Sequence, residues 1–402
     1  MPRDARTNIT LFYMYKFLSS MALWGPVIVV LLVQRDFSLF EIALGDVAYW
    51  IVIILCEVPT GVIADKYSRK YSLSVGLLFL SLALFVYSRI YTVFILIFCH
   101  VLWGIGSTFI SGADVALLYD TLQECNREDE FEKIVGTATS ISFISTGVSC
   151  LIGGFLASYD MILPFVLTSV AYGAACLFSL FLWEPHVSDR PDTYLPHIRE
   201  SASFVRKNRM LLLLILLFAG MFSTYTIISI LRQPYLLALH IPLKFFGVLY
   251  LVSLLIKAMG AKLAYKIEPI LGEKKNLLLI SVVTPLAFLL AGFLRSYMGL
   301  AILMGSTFML GYLYPVFDTY MNKRIPSAKR ATVFSFRGMI STFFIAPLEP
   351  LFGKIADWYS VFFSHILIGI VAIGSFGICM SFIFKEDEGK GENEEKGEVK
   401  KK

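Results

Sequence analysis

Charge is what this chain lacks. Asp, Glu, Lys and Arg make up 16% of its 402 residues, where soluble domains carry roughly 25%. With 57% hydrophobic and 15% aromatic residues, the composition excludes an ordinary soluble protein. The formal net charge of +5 does not argue for nucleic acid, because the basic residues gather in loops between apolar runs. Cysteine is sparse as well. The six (56, 99, 125, 150, 176 and 379) show no Cys-x-x-Cys spacing and five lie in apolar segments. They read as small packing residues, and no metal site can be built from them. There is no Gly-x-x-x-x-Gly-Lys-Ser/Thr sequence, so nothing points to nucleotide-driven work. Neither His-Glu-x-x-His nor Gly-x-Ser-x-Gly occurs, so a membrane-embedded enzyme has no visible catalytic set. No cofactor is expected.

What the chain has is a succession of apolar runs of about 20 residues, long enough to cross a bilayer. Helices are the spanning element for such runs, since each backbone group must be satisfied internally. The division gives twelve spans, near 10–33, 38–60, 71–90, 92–120, 133–157, 161–183, 210–236, 243–268, 276–295, 298–322, 331–356 and 360–384. The first is too long and unbroken for a cleaved signal peptide. One set of loops is rich in Lys and Arg (Lys66, Arg69, Lys70, Arg127, Lys133, Arg206, Lys207, Lys274, Lys275, Lys323 and Arg324 among them), whereas the other holds little beyond Arg35, Arg89, Lys244 and Arg295. The basic set is expected to face the cytoplasm, with both termini on that side. Residues 184–209 are the one long polar break. They separate bundles at 1–183 and 210–384, and after three prolines they suit a short amphipathic helix on the membrane surface. The tail, 385–402, is rich in Glu, Lys and Gly and is expected to be disordered.

Repeats relate the two halves. Tyr119-Asp120-Thr121 ends the fourth span and Phe317-Asp318-Thr319 the tenth, and Gly153 to Ala157 echoes Phe352 to Ala356. The most informative stretch joins the second and third spans: Gly61-Val62-Ile63-Ala64-Asp65-Lys66-Tyr67-Ser68-Arg69-Lys70. An ordinary basic loop explains Lys66, Arg69 and Lys70 but not the placement of Gly61 and Asp65. The stretch resembles the signature of the major facilitator superfamily, with Ser68 in place of a second glycine. A degraded copy follows the eighth span, with Tyr265 where Asp65 stands. In the fourth span His100, Trp103, Gly104 and Gly106 occupy a further superfamily motif, histidine standing where arginine is expected. The resemblance is nearest to the drug/proton antiporter-like branch, but Ser149-Cys150 precedes Gly153-Gly154 where that branch has Gly-Pro. It covers about 10–384. It implies an all-α membrane protein of two six-helix bundles with a cavity between them, moving a small molecule by alternating access. It also implies that Asp65 latches the cytoplasmic side by docking on the other half.

A charge at mid-bilayer costs at least ~2.5–3.5 kcal/mol unless it finds a partner or water. The embedded ionisable residues are therefore the candidates. Asp46, His100, Asp114 and Glu349 are proton-coupling candidates, imidazole being able to titrate near neutral pH where guanidinium cannot. Glu57 joins Gly61, Asp65, Lys66, Arg69 and Lys70 in a gating set, where it reads either as a salt bridge holding the cytoplasmic gate or as a residue with a transport role. Tyr13, Trp24, Tyr49, Trp50, Trp103, Tyr225, Arg232, Tyr250, Lys257, Tyr314, Asp318 and Arg337 are cavity candidates. Packing, or pairing of Lys257 or Arg337 with an acid, is the plainer reading of several. The expected function is proton-coupled export of an amphipathic compound by a monomer in contact with membrane lipids. Nutrient import or facilitated diffusion is the alternative, and a non-transporting receptor or scaffold the remote one.

Overall fold

The structure, a computed structural model, describes residues 5–185, 203–326 and 329–399, and these are helical with short connections and no strand. Ten stretches are long and apolar enough to cross a membrane. One of them, Leu243–Leu294, holds two spans, because Gly272 breaks it at φ 72° and ψ 170°. Only glycine adopts that backbone without strain. Asn276 closes the break by donating to the carbonyls of Glu268 and Gly272 at 3.0 and 2.8 Å, and the Tyr312 hydroxyl donates to the Asn276 side-chain oxygen. With the interrupted first span described below, the described residues hold twelve spans.

The helices are α1 (Ala5–Ser19), α2 (Ile28–Val33), α3 (Leu39–Lys66), α4 (Arg69–Tyr87), α5 (Val93–Ile110), α6 (Ala113–Glu124), α7 (Phe131–Tyr159) and α8 (Leu163–Phe181). They continue with α9 (Arg209–Ala238), α10 (Phe246–Leu294), α11 (Tyr297–Asn322), α12 (Arg330–Trp358) and α13 (Val361–Val399). Caps fix their starts. Ser38 and Glu41 form a capping box at α3, and Ser68, Thr92 and Asn208 accept backbone N–H bonds at α4, α5 and α9. Between α6 and α7, Arg127 donates to Glu130 at 2.6 and 2.8 Å, which holds that exposed carboxyl below the usual carboxylate range.

Packing divides the chain into two units. One comprises Met1–Asp192 and His240–Leu251, the other Thr193–Leu239 and Val252–Lys402. In the first, α3 packs on α5, α4 on α5 and α8, and α1 on α7 and α8. Residues 240–251 belong with this unit rather than with 210–384, because Gly154 and Gly247 are bare enough for the two backbones to meet. A Cβ on Gly247 would lie 2.3 Å from the Cys150 carbonyl oxygen. In the second unit the apolar α9 is the central helix, packed on α11, α12 and α13.

Four expectations about the chain path change. The first span is not continuous: residues 20–27 leave the helix, around Gly25-Pro26. Helix α7 makes that interruption affordable. Ser145 and Thr146 donate to the carbonyls of Phe17 and Ser20 at 2.6 and 2.8 Å, and the Ala22 N–H donates to Ser149 Oγ at 2.8 Å. Cys150 Sγ lies 3.2 Å from the Ala22 carbonyl oxygen, and a Cβ on Gly153 would fall 1.9 Å from that of Leu23. The fourth span breaks at Gly112, whose φ is 74°. The tight turn expected over the decapeptide 61–70 is confined to Tyr67 and Ser68, since α3 runs through Lys66 and α4 starts at Arg69. Helix α13 continues to Val399, where composition predicted disorder; its Glu and Lys residues are good helix formers. Of the surface helix expected near 195–207, residues 203–207 are helical and 195–202 lie outside the described residues.

Candidate functional site

In the first unit, α3 and α5 bring Asp46 and His100 together, with Nε2 of the imidazole 3.1 Å from Oδ1 of the carboxylate. The other ring nitrogen, Nδ1, lies 2.9 Å from the Leu96 carbonyl oxygen. A carbonyl only accepts, so Nδ1 carries a hydrogen. With the imidazole protonated, Nε2 and Oδ1 form a charge pair; with both groups deprotonated they are two acceptors facing each other. Gly45 makes the approach possible, as a Cβ there would lie 2.8 Å from His100 Cε1 and Nδ1. His100 is buried and Asp46 half-buried, with the Tyr87 ring of α4 5.8 Å from the imidazole.

One turn along α5, Trp103 meets Trp24 of the unwound segment edge to face at 4.7 Å. Tyr49 and Trp50 make a similar pair at 5.1 Å. The half-buried indoles and the irregular backbone at 20–27 thus lie near the Asp46–His100 pair. Tyr13 packs against the apolar core of the unit, and Tyr250 is half-buried. Asp114, in the first turn of α6, is ion-paired with Lys16 of α1, which lies over the Phe12 and Tyr15 rings at 5.7 and 5.8 Å.

The 61–70 stretch is tied down within the same unit. Arg69 Nε donates to Asp65 at 3.0 Å and Arg69 Nη1 to Asp120. Glu184 sits on the first turn of α4, accepting from the Arg69 and Lys70 N–H groups at 2.8 and 3.2 Å and from the Ser68 hydroxyl. A carboxylate there satisfies open N–H groups and complements the helix dipole. Asn8 completes the junction by accepting from the Trp183 N–H at 2.8 Å. Lys66 and Lys70 lie over the rings of Tyr67 and Tyr71. Gly61 is helical with nothing within 4 Å of a built Cβ, so close packing does not explain it in this structure. Glu57 is exposed and receives only a long contact from Ser111 at 3.5 Å; among the described residues it forms no ion pair.

In the second unit Asp318 of α11 pairs with Arg337 of α12, whose guanidinium lies 4.0 and 4.6 Å from the Phe218 and Phe334 ring centroids. Both Asp-Thr repeats therefore end in an arginine-bound aspartate. Lys257 of α10 lies 5.9 Å from the Tyr314 ring and close enough to Arg232 of α9 for the like charges to repel. Tyr225 is buried, donating to the Ser306 carbonyl at 2.8 Å, and is a packing tie rather than a lining residue. Glu349 is buried in α12 between Pro347 and Pro350. Among the described residues no cluster of His, Cys, Asp and Glu could hold a metal ion.

The family model of the Major Facilitator Superfamily matches residues 12–347. The chain belongs to the major facilitator superfamily. It is 24% identical over 393 residues to the MFS-type transporter YxaM of Bacillus subtilis (strain 168), covering 93% of this chain and 92% of that protein. A shorter match, 31% over 110 residues, joins it to the transporter BU466 of Buchnera aphidicola, covering 27% of each. Its fold is that of the nucleoside transporter NupG (TM-score 0.76, 15% identity, 94% of this chain and 98% of that one) and of the POT family transporter PepTSo (0.73, 12%, 96% and 98%). This chain is therefore a membrane transporter of the superfamily's type, with a small-molecule substrate.

Sequence reading found Asp46 and His100 separately but not their contact, and it missed Glu184 and the hydroxyl ladder of α7. Glu184 had a signal, as the first acid after the sixth apolar run. The ladder had one too: Ser149-Cys150 stands where the superfamily's antiporter signature has Gly-Pro, and both residues bond the unwound first span.

Proposed function

We propose that this superfamily member exports a small amphipathic compound in exchange for protons, by alternating access, as a monomer in the cell membrane with both chain ends cytoplasmic. The reading is nearest to the drug/proton antiporter-like branch. The observation that supports it is the Asp46–His100 contact at 3.1 Å, which is attractive when the imidazole carries a proton and repulsive when neither group does. Protonation holds α3 against α5, and loss of the proton makes the contact repulsive, so proton binding and helix packing are linked. A ligand shifts such an equilibrium only through different affinity for its two states. The indole pair Trp24 and Trp103 beside it suits an aromatic or apolar solute. Asp65, with Arg69, Asp120 and Glu184, forms the proposed clasp at the cytoplasmic end.

The test is flux in proteoliposomes under an imposed pH gradient, with substrates found by thermal-shift screening at two pH values. Wild-type protein should drive uphill movement against the proton gradient, while His100→Gln should lose that and keep counterflow exchange. Unchanged pH dependence in the variant returns His100 to a packing role. Flux into the cell-equivalent compartment would favour import.

A further inference from the structure

We propose that the second unit holds an oxyanion site centred on Lys257, which takes the carboxylate of an amphipathic, aromatic substrate; this rests on the transport reading and names the class of solute. The argument begins with a contrast. Three other cationic or potentially cationic side chains within the spans, Lys16, His100 and Arg337, each meet a carboxylate: Asp114, Asp46 and Asp318. Lys257 does not. It lies midway between Phe246 and the Gly272 break, half-buried, and among the described residues its one attractive side-chain contact is the Tyr314 ring at 5.9 Å. A cation–π contact of that length offsets little of the cost of a charge at such depth.

Its surroundings add positive potential rather than cancel it. Arg232, which keeps contacts of its own, repels Lys257 from α9. Two positive charges brought together in a medium of low dielectric favour an anion more strongly than either does alone. Beside Lys257 stands the half-buried Tyr314 ring, backed by the half-buried Phe222 and the buried Phe218. Tyr314 packs edge-on against Phe218 and Phe222, with ring centroids at 5.6 and 6.2 Å. Cationic head and aromatic wall together match a ring-bearing monoanion, the acid on Lys257 and the ring on the wall. Carboxylate and phosphate share the oxyanion chemistry. The wall favours the carboxylate, which usually comes on an apolar body.

The experiment uses the purified full-length chain in detergent and follows its unfolding midpoint with four probes: indole-3-acetate, its neutral amide, tryptamine and inorganic phosphate. Indole-3-acetate should raise the midpoint in a saturable way, with the amide and tryptamine at least tenfold weaker and phosphate weaker than the acid. Lys257→Gln should weaken the acid at least tenfold while leaving the amide response unchanged and the ligand-free midpoint no lower than wild type, and Lys257→Arg should retain binding. Equal response of wild type and Lys257→Gln overturns the site. So does preference for tryptamine or the amide, or no response to the acid; these two readings need no variant, so poor folding of Lys257→Gln does not rescue the idea. Preference for phosphate over the acid overturns the carboxylate assignment. Counterflow of labelled indole-3-acetate separates the two hypotheses: binding without flux sinks transport and leaves the site, whereas flux of the amine alone does the reverse.

Discussion

At the scale of single residues, the chemistry concentrates in a few embedded charges whose partners are far away in sequence. Asp46 and His100 are 54 positions apart by number and meet at 3.1 Å because Gly45 offers no side chain to the imidazole. Gly45→Ala should therefore push the ring aside and flatten the pH dependence of flux, much as His100→Gln does. A destabilisation of about 1–3 kcal/mol is expected from overpacking, read as a lower unfolding midpoint. A Gly45→Ala protein with wild-type pH dependence would show that the contact carries no proton of consequence. Both residues stood out in the sequence as polar groups in apolar runs. Their pairing did not, since helical periodicity says which side of a helix a residue occupies and nothing about which helix faces it.

At the scale of elements, α7 is the support on which the first span unwinds. Its hydroxyl side chains supply hydrogen bonds that the backbone near 17–22 would otherwise lack in an apolar surround, where an unsatisfied group costs about 1–3 kcal/mol. Ser149→Ala should destabilise the protein by about that amount and leave the Ala22 N–H without its partner. Gly153→Ala should do more, because its new carbon would fall 1.9 Å from the Leu23 carbonyl oxygen, a backbone atom rather than the end of a flexible side chain. Thermal unfolding of the two variants checks the order; a milder effect at Gly153 would mean that 20–27 is free to move. The interruption was hard to read in advance. Gly25-Pro26 marked a weak point in an otherwise apolar run, but proline inside membrane helices is common, as in α3, α9 and α11. Whether a helix bends or opens depends on what its neighbour can donate.

At the scale of the whole molecule, the chain passes between two helical units more than once, and transport requires that it occupy more than one arrangement. The clasp around residues 61–70 is the proposed control. Asp65→Asn should slow substrate cycling severalfold in proteoliposomes while expression, membrane insertion and unfolding midpoint stay near wild type. Normal flux would remove Asp65 from the gate. In the structure the aspartate holds Arg69, which also reaches Asp120, while Glu184 anchors the start of α4. Glu184→Gln should therefore cost about 1 kcal/mol of stability through the weakened charge at the helix N-terminus. The motif residues were visible as a string, but Glu184 joins them only in space, 115 positions on from Arg69.

The sequence by itself determined that this is a polytopic helical protein, how many times it crosses the bilayer, and which superfamily its loops resemble. Those properties are local: an apolar run of sufficient length must become a helix in lipid, and a short motif between two such runs keeps its spacing whatever surrounds it. Tertiary structure decided the rest, including which acid meets which base, where the first span opens, and that Lys257 lies by the Tyr314 ring. Each of these depends on a hydrogen bond, charge or ring supplied by a helix remote in the chain, and the energy of a buried polar group is set by the partner it finds rather than by its own identity.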